Sequence, residues 1–322
     1  MMNIPFKVPL GVMMVLALSA TTPAARGDFV IFNYPGTGVN TQPRGINDGR
    51  LIVGYSIDAS NVTTGFVRAA DGTFSTYTAP GDNQNFTRLL GVNNAGTMVG
   101  DFLTKDSVTQ VLTFHGYMLN GGTFTQYDYG GPVSTALSGI NNLGHLVGTQ
   151  GSNVQANQGF IDIGGTKTTF AFAGASATFA YAMNDKDQVV GEYKDSGNVF
   201  HGYFRDSSGT LTAINVPGAL TTTASGINNI GWITGSYTDG AGVRHGFLDR
   251  AGLFTTIDAP GAKTTSVFRI NNNNDVDGTF ADPQGFLQTG VPEPGSLTLL
   301  GIGAAALLVV SRQRSRLRLG SV

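Results

Sequence analysis

The sequence predicts an all-β fold: a six-bladed β-propeller closed by pairing of the N-terminal strand with the last blade, followed by a short hydrophobic C-terminal helix. Three observations predict it. One phrase recurs six times at a near-constant period. Each period holds four short strand-like runs. The first run of the mature chain and the last unit each lack what the other has.

The phrase is an aliphatic residue followed by Asn. Its Asn falls at Asn47, Asn93, Asn141, Asn184, Asn228 and Asn271, at intervals of 43 to 48 residues. A glycine follows seven residues later in every unit: Gly54, Gly100, Gly148, Gly191, Gly235 and Gly278. A Gly–aromatic pair comes next, with Phe66, Tyr117, Phe160, Tyr203, Phe247 and Phe286 as its aromatics. A period in the forties marks a propeller or a solenoid. In the fifth unit the runs are TTTASGIN (strand A), WITGSYTD (B), RHGFLDR (C) and LFTTIDAP (D). Asn-Asn-x-Gly between A and B tolerates the positive φ of a tight turn. Pro-Gly after D ends the outer strand, where a missing N–H costs least.

The ends choose a ring over a rod. FVIFNYPG, from Phe29 to Gly36, reads as a D strand with no A, B or C before it. The last unit, Phe268 to Thr289, has A, B and C but no D after it. A solenoid would carry capping repeats instead of splitting a unit. A closed ring uses the split, because the N-terminal strand completes the sixth blade.

Composition narrows the function. Charged residues make up 12% of the 322, about half the usual share, and the net charge is −2. A nucleic-acid groove needs clustered Lys and Arg, and the one obvious basic cluster lies at the extreme C-terminus, so nucleic acid is not an expected partner. There is no cysteine, so neither disulfides nor thiolate metal sites contribute.

Both ends carry processing signals. Lys7, an apolar run from Val8 to Ala20 and the small residues after it form a secretory signal peptide over residues 1–27. The six-repeat propeller domain occupies 28–290. Residues 291–322 hold a Pro-Glu-Pro motif, an apolar helix and an arginine-rich tail. The apolar run Leu297 to Val310 spans about 21 Å at ~1.5 Å per residue, short of the ~30 Å bilayer core. Arg312, Arg314, Arg316 and Arg318 hold the end of this membrane helix in the cytoplasm, with the bulk of the chain outside.

This tail, with Pro292, Glu293 and Pro294 as its motif, resembles the PEP-CTERM sorting signal of Gram-negative bacteria. The resemblance implies transient anchoring in the inner membrane, removal of the helix by an exosortase, and delivery to the cell surface or the extracellular matrix of exopolysaccharide-producing cells. Residues 29–289 resemble HAF-repeat extracellular proteins, named for a His-Ala-Phe triplet. Here the triplet reads HGY at His115 and His201 and HGF at His245, with TGF or QGF elsewhere. That resemblance implies an extracellular repeat protein and no established activity.

A search for chemistry returns little. His115, His201 and His245 occupy equivalent positions of different blades, so the ring should hold them apart, each bonding a neighbouring backbone carbonyl. His145 stands in an A–B turn region. NNNNDVDG, from Asn271 to Gly278, imitates a calcium loop through Asn273, Asp275 and Asp277, but position twelve is Gln284 where Glu is expected. The repeat accounts for Gly278 without calcium. Glu192 and Glu293 are the only glutamates, and no spacing points to a carboxylate pair or a nucleophile elbow. The recurrent aromatics read as packing between blades rather than as sugar-stacking platforms.

The expectation is therefore a non-enzymatic, surface-associated propeller with no catalytic residue, cofactor or metal, binding or scaffolding extracellular polysaccharide. The alternative is a polysaccharide-active hydrolase or lyase, with several Asp, His or Tyr side chains converging at one channel mouth. A ligand site is expected on the face that carries the B–C and D–A loops, where blades differ most. Lys105, Asp106, Asp195 and Arg244 are its charged candidates, although each also reads as a solvated loop tip.

Overall fold

Four-stranded antiparallel sheets follow one another along the chain in a computed structural model that describes residues 28–291, apart from 37–38, 132, 153–154 and 281–283. Among the described residues every regular element is a strand, and no helix there is long and apolar enough to cross a membrane. The signal peptide, the apolar C-terminal segment and Pro292 to Pro294 lie outside the described residues.

Strand β1 (Phe29–Phe32) stands alone at the start. Blade one is β2 (Asn40–Ile46), β3 (Ile52–Ile57), β4 (Thr63–Arg68) and β5 (Phe74–Tyr77). Blade two is β6 (Thr87–Val92), β7 (Met98–Lys105), β8 (Leu112–Asn120) and β9 (Thr123–Tyr127). Blade three is β10 (Ser134–Ile140), β11 (Leu146–Ser152), β12 (Gln155–Ile163) and β13 (Thr166–Phe170). Blade four is β14 (Ala177–Met183), β15 (Val189–Lys194), β16 (Phe200–Arg205) and β17 (Leu211–Ile214). Blade five is β18 (Thr221–Ile227), β19 (Ile233–Thr238), β20 (Arg244–Arg250) and β21 (Leu253–Ile257), close to the four runs read from sequence. Blade six is β22 (Thr265–Ile270), β23 (Val276–Phe280), β24 (Gln284–Gln288) and β1.

The first strand thus completes the last blade, as the split unit predicts. Phe29 to Phe32 pair antiparallel with Gln288 to Gly285, and Thr289 N–H donates to Asp28 C=O at 3.0 Å. Phe32 then packs with Ile46, Ile52 and Phe66 of blade one, so one short strand joins two blades. Arg50 of blade one and the buried Asp275 of blade six add an ion pair at 2.9 Å.

The recurrent aromatics Phe66, Tyr117, Phe160, Tyr203, Phe247 and Phe286 are all fully buried, which agrees with packing rather than ligand contact. Each lies over the recurrent strand-B glycine. A Cβ on Gly235 would run into the Thr223 carbonyl and the Phe247 ring, so the column accepts no side chain. Replacing such an aromatic by Ala would cost about 3–5 kcal/mol.

Candidate ligand funnel

The repeated phrase builds one end of the central channel. The first Asn of each unit is buried and caps its own A–B turn; Asn141 Oδ1 accepts from Leu143 N–H at 3.0 Å and His145 N–H at 2.9 Å. Its Nδ2 donates to the backbone carbonyl of the same Asn in the next blade. The series runs Asn47 to Asn93, Asn93 to Asn141, Asn141 to Asn184, Asn184 to Asn228, Asn228 to Asn271, and Asn271 back to Asn47, at 3.0–3.4 Å. The next residue makes a second ring: Asp48, Asn94, Asn142, Asp185, Asn229 and Asn272 each accept at Oδ1 the backbone N–H of their counterpart in an adjacent blade. Asp48 and Asp185 stand three blades apart. Each Oδ2 accepts the carboxamides on both sides: Asn94 and Asn272 for Asp48, Asn142 and Asn229 for Asp185.

The other end opens as a funnel of about 1390 Å³, larger than a typical small-molecule pocket. It lies where the B and C strands meet their loops. Three columns of the repeat line it. A β-bulge interrupts strand A at the same place in every blade. The bulged residues are Arg44, Leu90, Ser138, Tyr181, Ser225 and Phe268, and all line the funnel. Two residues earlier stand Gln42, Arg88, Ala136, Phe179, Thr223 and Ser266. After the strand-B glycine come Tyr55, Asp101, Thr149, Glu192, Ser236 and Thr279. A bulge bends a strand and re-aims its side chains.

Arg269 closes the floor. The column it occupies is otherwise Gly45, Gly91, Gly139, Ala182 and Gly226, since the innermost backbones nearly touch: a Cβ on Gly91 would lie 3.1 Å from Gly139 Cα. The guanidinium donates to the bulge carbonyls of Ser138 at 3.0 Å, Tyr181 at 2.8 Å and Leu90 at 3.4 Å, and to Ser225. Those four carbonyls come from four blades and converge on the axis. Burial lowers the Arg269 pKa to about 10. Its cross-strand partner Asp277 is wholly buried where four other blades carry Val. Asp277 Oδ1 accepts Arg269 N–H at 2.8 Å, and its buried Oδ2 has no partner. Burial pushes this carboxyl up to about 7.

Higher in the funnel Arg88 grips Asp101 with two bonds, at 2.8 and 2.5 Å. Burial opposes the Arg88 charge, but Asp101 outweighs it and raises the pKa. Arg44 donates to Gln42 and Tyr55 at 3.1 and 3.0 Å and lies 3.8 Å over the Phe268 ring. Burial alone would raise the Tyr55 phenol; Arg44's charge and hydrogen bond outweigh it and leave it lowered. Glu192 accepts Tyr181 Oη–H and Thr223 Oγ1–H, both at 2.6 Å. Burial first, then Glu192, hold the Tyr181 phenol far above its usual value. Arg244 is solvent-accessible yet ringed by funnel walls, which lower its pKa. It makes no hydrogen bond or ion pair among the described residues.

Of the four charged loop candidates, Arg244 alone lines the funnel. Lys105 ends β7, where its N–H donates to Asn83 at 2.8 Å. Asp106 caps the B–C turn of blade two through Val108 and Thr109 N–H. Asp195 caps its turn through Val199 N–H and holds His201 at 3.2 Å. The strand histidines bond side chains rather than the backbone carbonyls expected, because a D-strand exit and a B–C turn flank each ring. His115 meets Asp128 and Thr104, His201 meets Asn215 and Asp195, and His245 meets Asp258 and Asp239, at 2.9–3.4 Å. His145 holds Asp187 at 2.7 Å. In the calcium-like run, Asn273 donates to the Asp48 carbonyl, Asp275 pairs with Arg50, and Asp277 faces Arg269, so the three side chains serve three different contacts. Sequence reasoning missed Arg44, Arg88, Asp101, Tyr181 and Arg269.

Among the described residues, ring and funnel together define a six-bladed propeller whose wider axial pocket is the funnel. Residues 290–314 match the PEP-CTERM protein-sorting motif, so this is an exported propeller carrying a signal processed by exosortase. No curated protein matches the chain in sequence. Among solved structures, an acylaminoacyl peptidase from Pyrococcus horikoshii is similar at 12% identity and a TM-score of 0.52, over 81% of this chain and 46% of that one. Virginiamycin B lyase from Staphylococcus aureus aligns over 81% of this chain and 99% of its own at 12% identity and a TM-score of 0.49. The Aleuria aurantia lectin aligns over 80% and 98% at 13% and 0.48. At these identities the likeness speaks to the fold alone.

Proposed function

We propose that this exported propeller binds extracellular polysaccharide in the funnel and does not turn it over. The observation that carries the reading is Phe179. Its half-buried ring lines the funnel, makes no ring contact among the described residues, and lies across the strand pair from Glu192, in a lining that also carries the hydroxyls of Thr149, Thr223 and Ser236. A sugar needs that combination, an apolar platform for its ring face and hydrogen-bonding groups for its rim. The HAF-repeat resemblance and the sorting signal fit delivery, after passage through the inner membrane, to the surface or matrix of a Gram-negative cell. Non-enzymatic binding is supported by the two funnel carboxylates, both already held by neighbours: Asp101 is ion-paired with Arg88, and each Glu192 oxygen accepts one hydroxyl.

One observation favours a second reading, a hydrolase or lyase: Tyr181 and Glu192 are hydrogen-bonded to each other in the funnel whose lining also includes Asp101. Against it, a phenol raised this far stays protonated and is a poor base. Purified protein should be screened against neutral and acidic bacterial polysaccharides, following both retention and the release of reducing or unsaturated ends. We expect retention without release, weakened about tenfold or more by Phe179→Ala, on the scale of a lost stacking contact. Release that vanishes in Glu192→Gln would establish the enzyme instead, and absence of retention would sink both readings.

A further inference from the structure

The funnel is a positive site in a negative protein. Arg44, Arg88, Arg244 and Arg269 line it against Asp101 and Glu192, while the whole chain carries −2. Arg88 alone of the four has its guanidinium ion-paired with a carboxylate among the described residues. The Arg269 guanidinium meets carbonyls, that of Arg44 meets an amide, a phenol and a ring, and that of Arg244 makes no hydrogen bond or ion pair among the described residues. Arg44 and Arg244 line the same funnel; burial lowers the Arg244 pKa, Glu192 opposes that, and Arg44 adds a smaller repulsion. An anion between them relieves that repulsion. The floor is shut by Arg269, so whatever enters does so by an end or a branch.

We propose that the ligand is the acidic terminus of a polysaccharide, a uronic acid residue whose carboxylate sits at Arg244 and Arg44. The proposal rests on the polysaccharide reading and names the group recognised. The parts lie side by side: Glu192 is the cross-strand partner of Phe179, and Glu192 is also the acid whose charge Arg244 feels. The sugar ring stacks on Phe179, and its carboxylate pairs with Arg244. Glu192 keeps free lone pairs on both oxygens for a sugar hydroxyl. Arg is suited to such a site because its planar fork matches a carboxylate.

Calorimetry with glucuronate- and galacturonate-capped trisaccharides, each beside its carboxyl-reduced neutral form, tests this. The acidic form should bind at least tenfold more tightly, with an affinity that falls as salt rises. Arg244→Ala should erase that preference without changing the melting temperature, and Arg244→Lys should restore only part of it. Equal binding of acidic and neutral trisaccharides overturns the inference and leaves the polysaccharide reading standing. Sulfate binding as tightly as the capped trisaccharide also overturns it, as that would be an anion site without a sugar. Binding of neither trisaccharide overturns inference and reading together.

Discussion

The two ends of the channel use polar side chains in opposite ways. At the A–B end, the asparagines and aspartates of every blade spend their donors and acceptors on the next blade, and two opposed aspartates absorb the carboxamides on either side of them. At the funnel end, the Arg244 guanidinium and the Phe179 ring have no hydrogen-bond, ion-pair or ring partner among the described residues. A saturated ring holds a closed fold together; the less saturated end is the one to which the proposal assigns a ligand. What the difference teaches is that repetition marks structure here, and departure from repetition marks the candidate site.

The largest expected effect breaks both ends at once. Removing residues 28–36 deletes β1, exposes the edge of β24 and uncovers Phe286, Ile46 and Ile52. The protein should lose cooperative melting, or melt at least 10 °C lower by an order-of-magnitude argument from the lost burial. An unchanged melting curve would mean that β1 does not close the ring. Next, Asn141→Ala separates the ends. It leaves two turn N–H groups without partners and takes one of two donors from the Asn184 carbonyl, so stability should fall by about 2–4 kcal/mol while ligand affinity below the melting range stays the same. Arg244→Ala should do the reverse. A loss of affinity in the first variant, or of stability in the second, would blur the distinction.

The smallest effect is one of pH. Asp277 has a folded pKa raised from the ordinary aspartate value to about 7. The folded state therefore holds a proton that the unfolded chain releases near pH 4. Stability from this group is highest below pH 4 and declines as pH climbs toward and through 7. Asp277→Asn keeps the acceptor for Arg269 N–H and removes the titration. Its melting temperature should gain on wild type between pH 5 and 8, and parallel curves over that range would refute the buried, proton-holding carboxyl.

The fold was legible because its evidence is repetition. Six asparagines, six glycines and six aromatics fall in phase, and the displaced run at Phe29 reveals the closure without any coordinate. The site was less so. The charged loop tips Lys105, Asp106 and Asp195 drew notice because they are charged in a charge-poor chain, yet a carboxylate at a turn caps backbone N–H groups by default. The lining residues sit inside strands A and B, where a period-two reading assigns faces, and the bulge at Arg44, Leu90, Ser138, Tyr181, Ser225 and Phe268 shifts that alternation. One signal was available. Aligned by column, the last unit writes Arg269 where the others write Gly or Ala, and Asp277 where four others write Val. The histidine partners Asp128, Asn215 and Asp258 lie one residue past strand D, thirteen or fourteen residues on, and only the C–D register brings them back.

Closure by β1 also decides how the molecule bears load. The strand nearest the C-terminal side of the propeller, β24, is not an edge: β1 flanks it on one side and β23 on the other. An edge strand under tension unzips, releasing one bond after another. A strand held on both sides and pulled along its length must shear two ladders together, and Val291 N–H adds a further bond to the Asn274 carbonyl just beyond it. A pull applied at Val291 would therefore load a strand held by a ladder on each side, one of them made by the other end of the described chain.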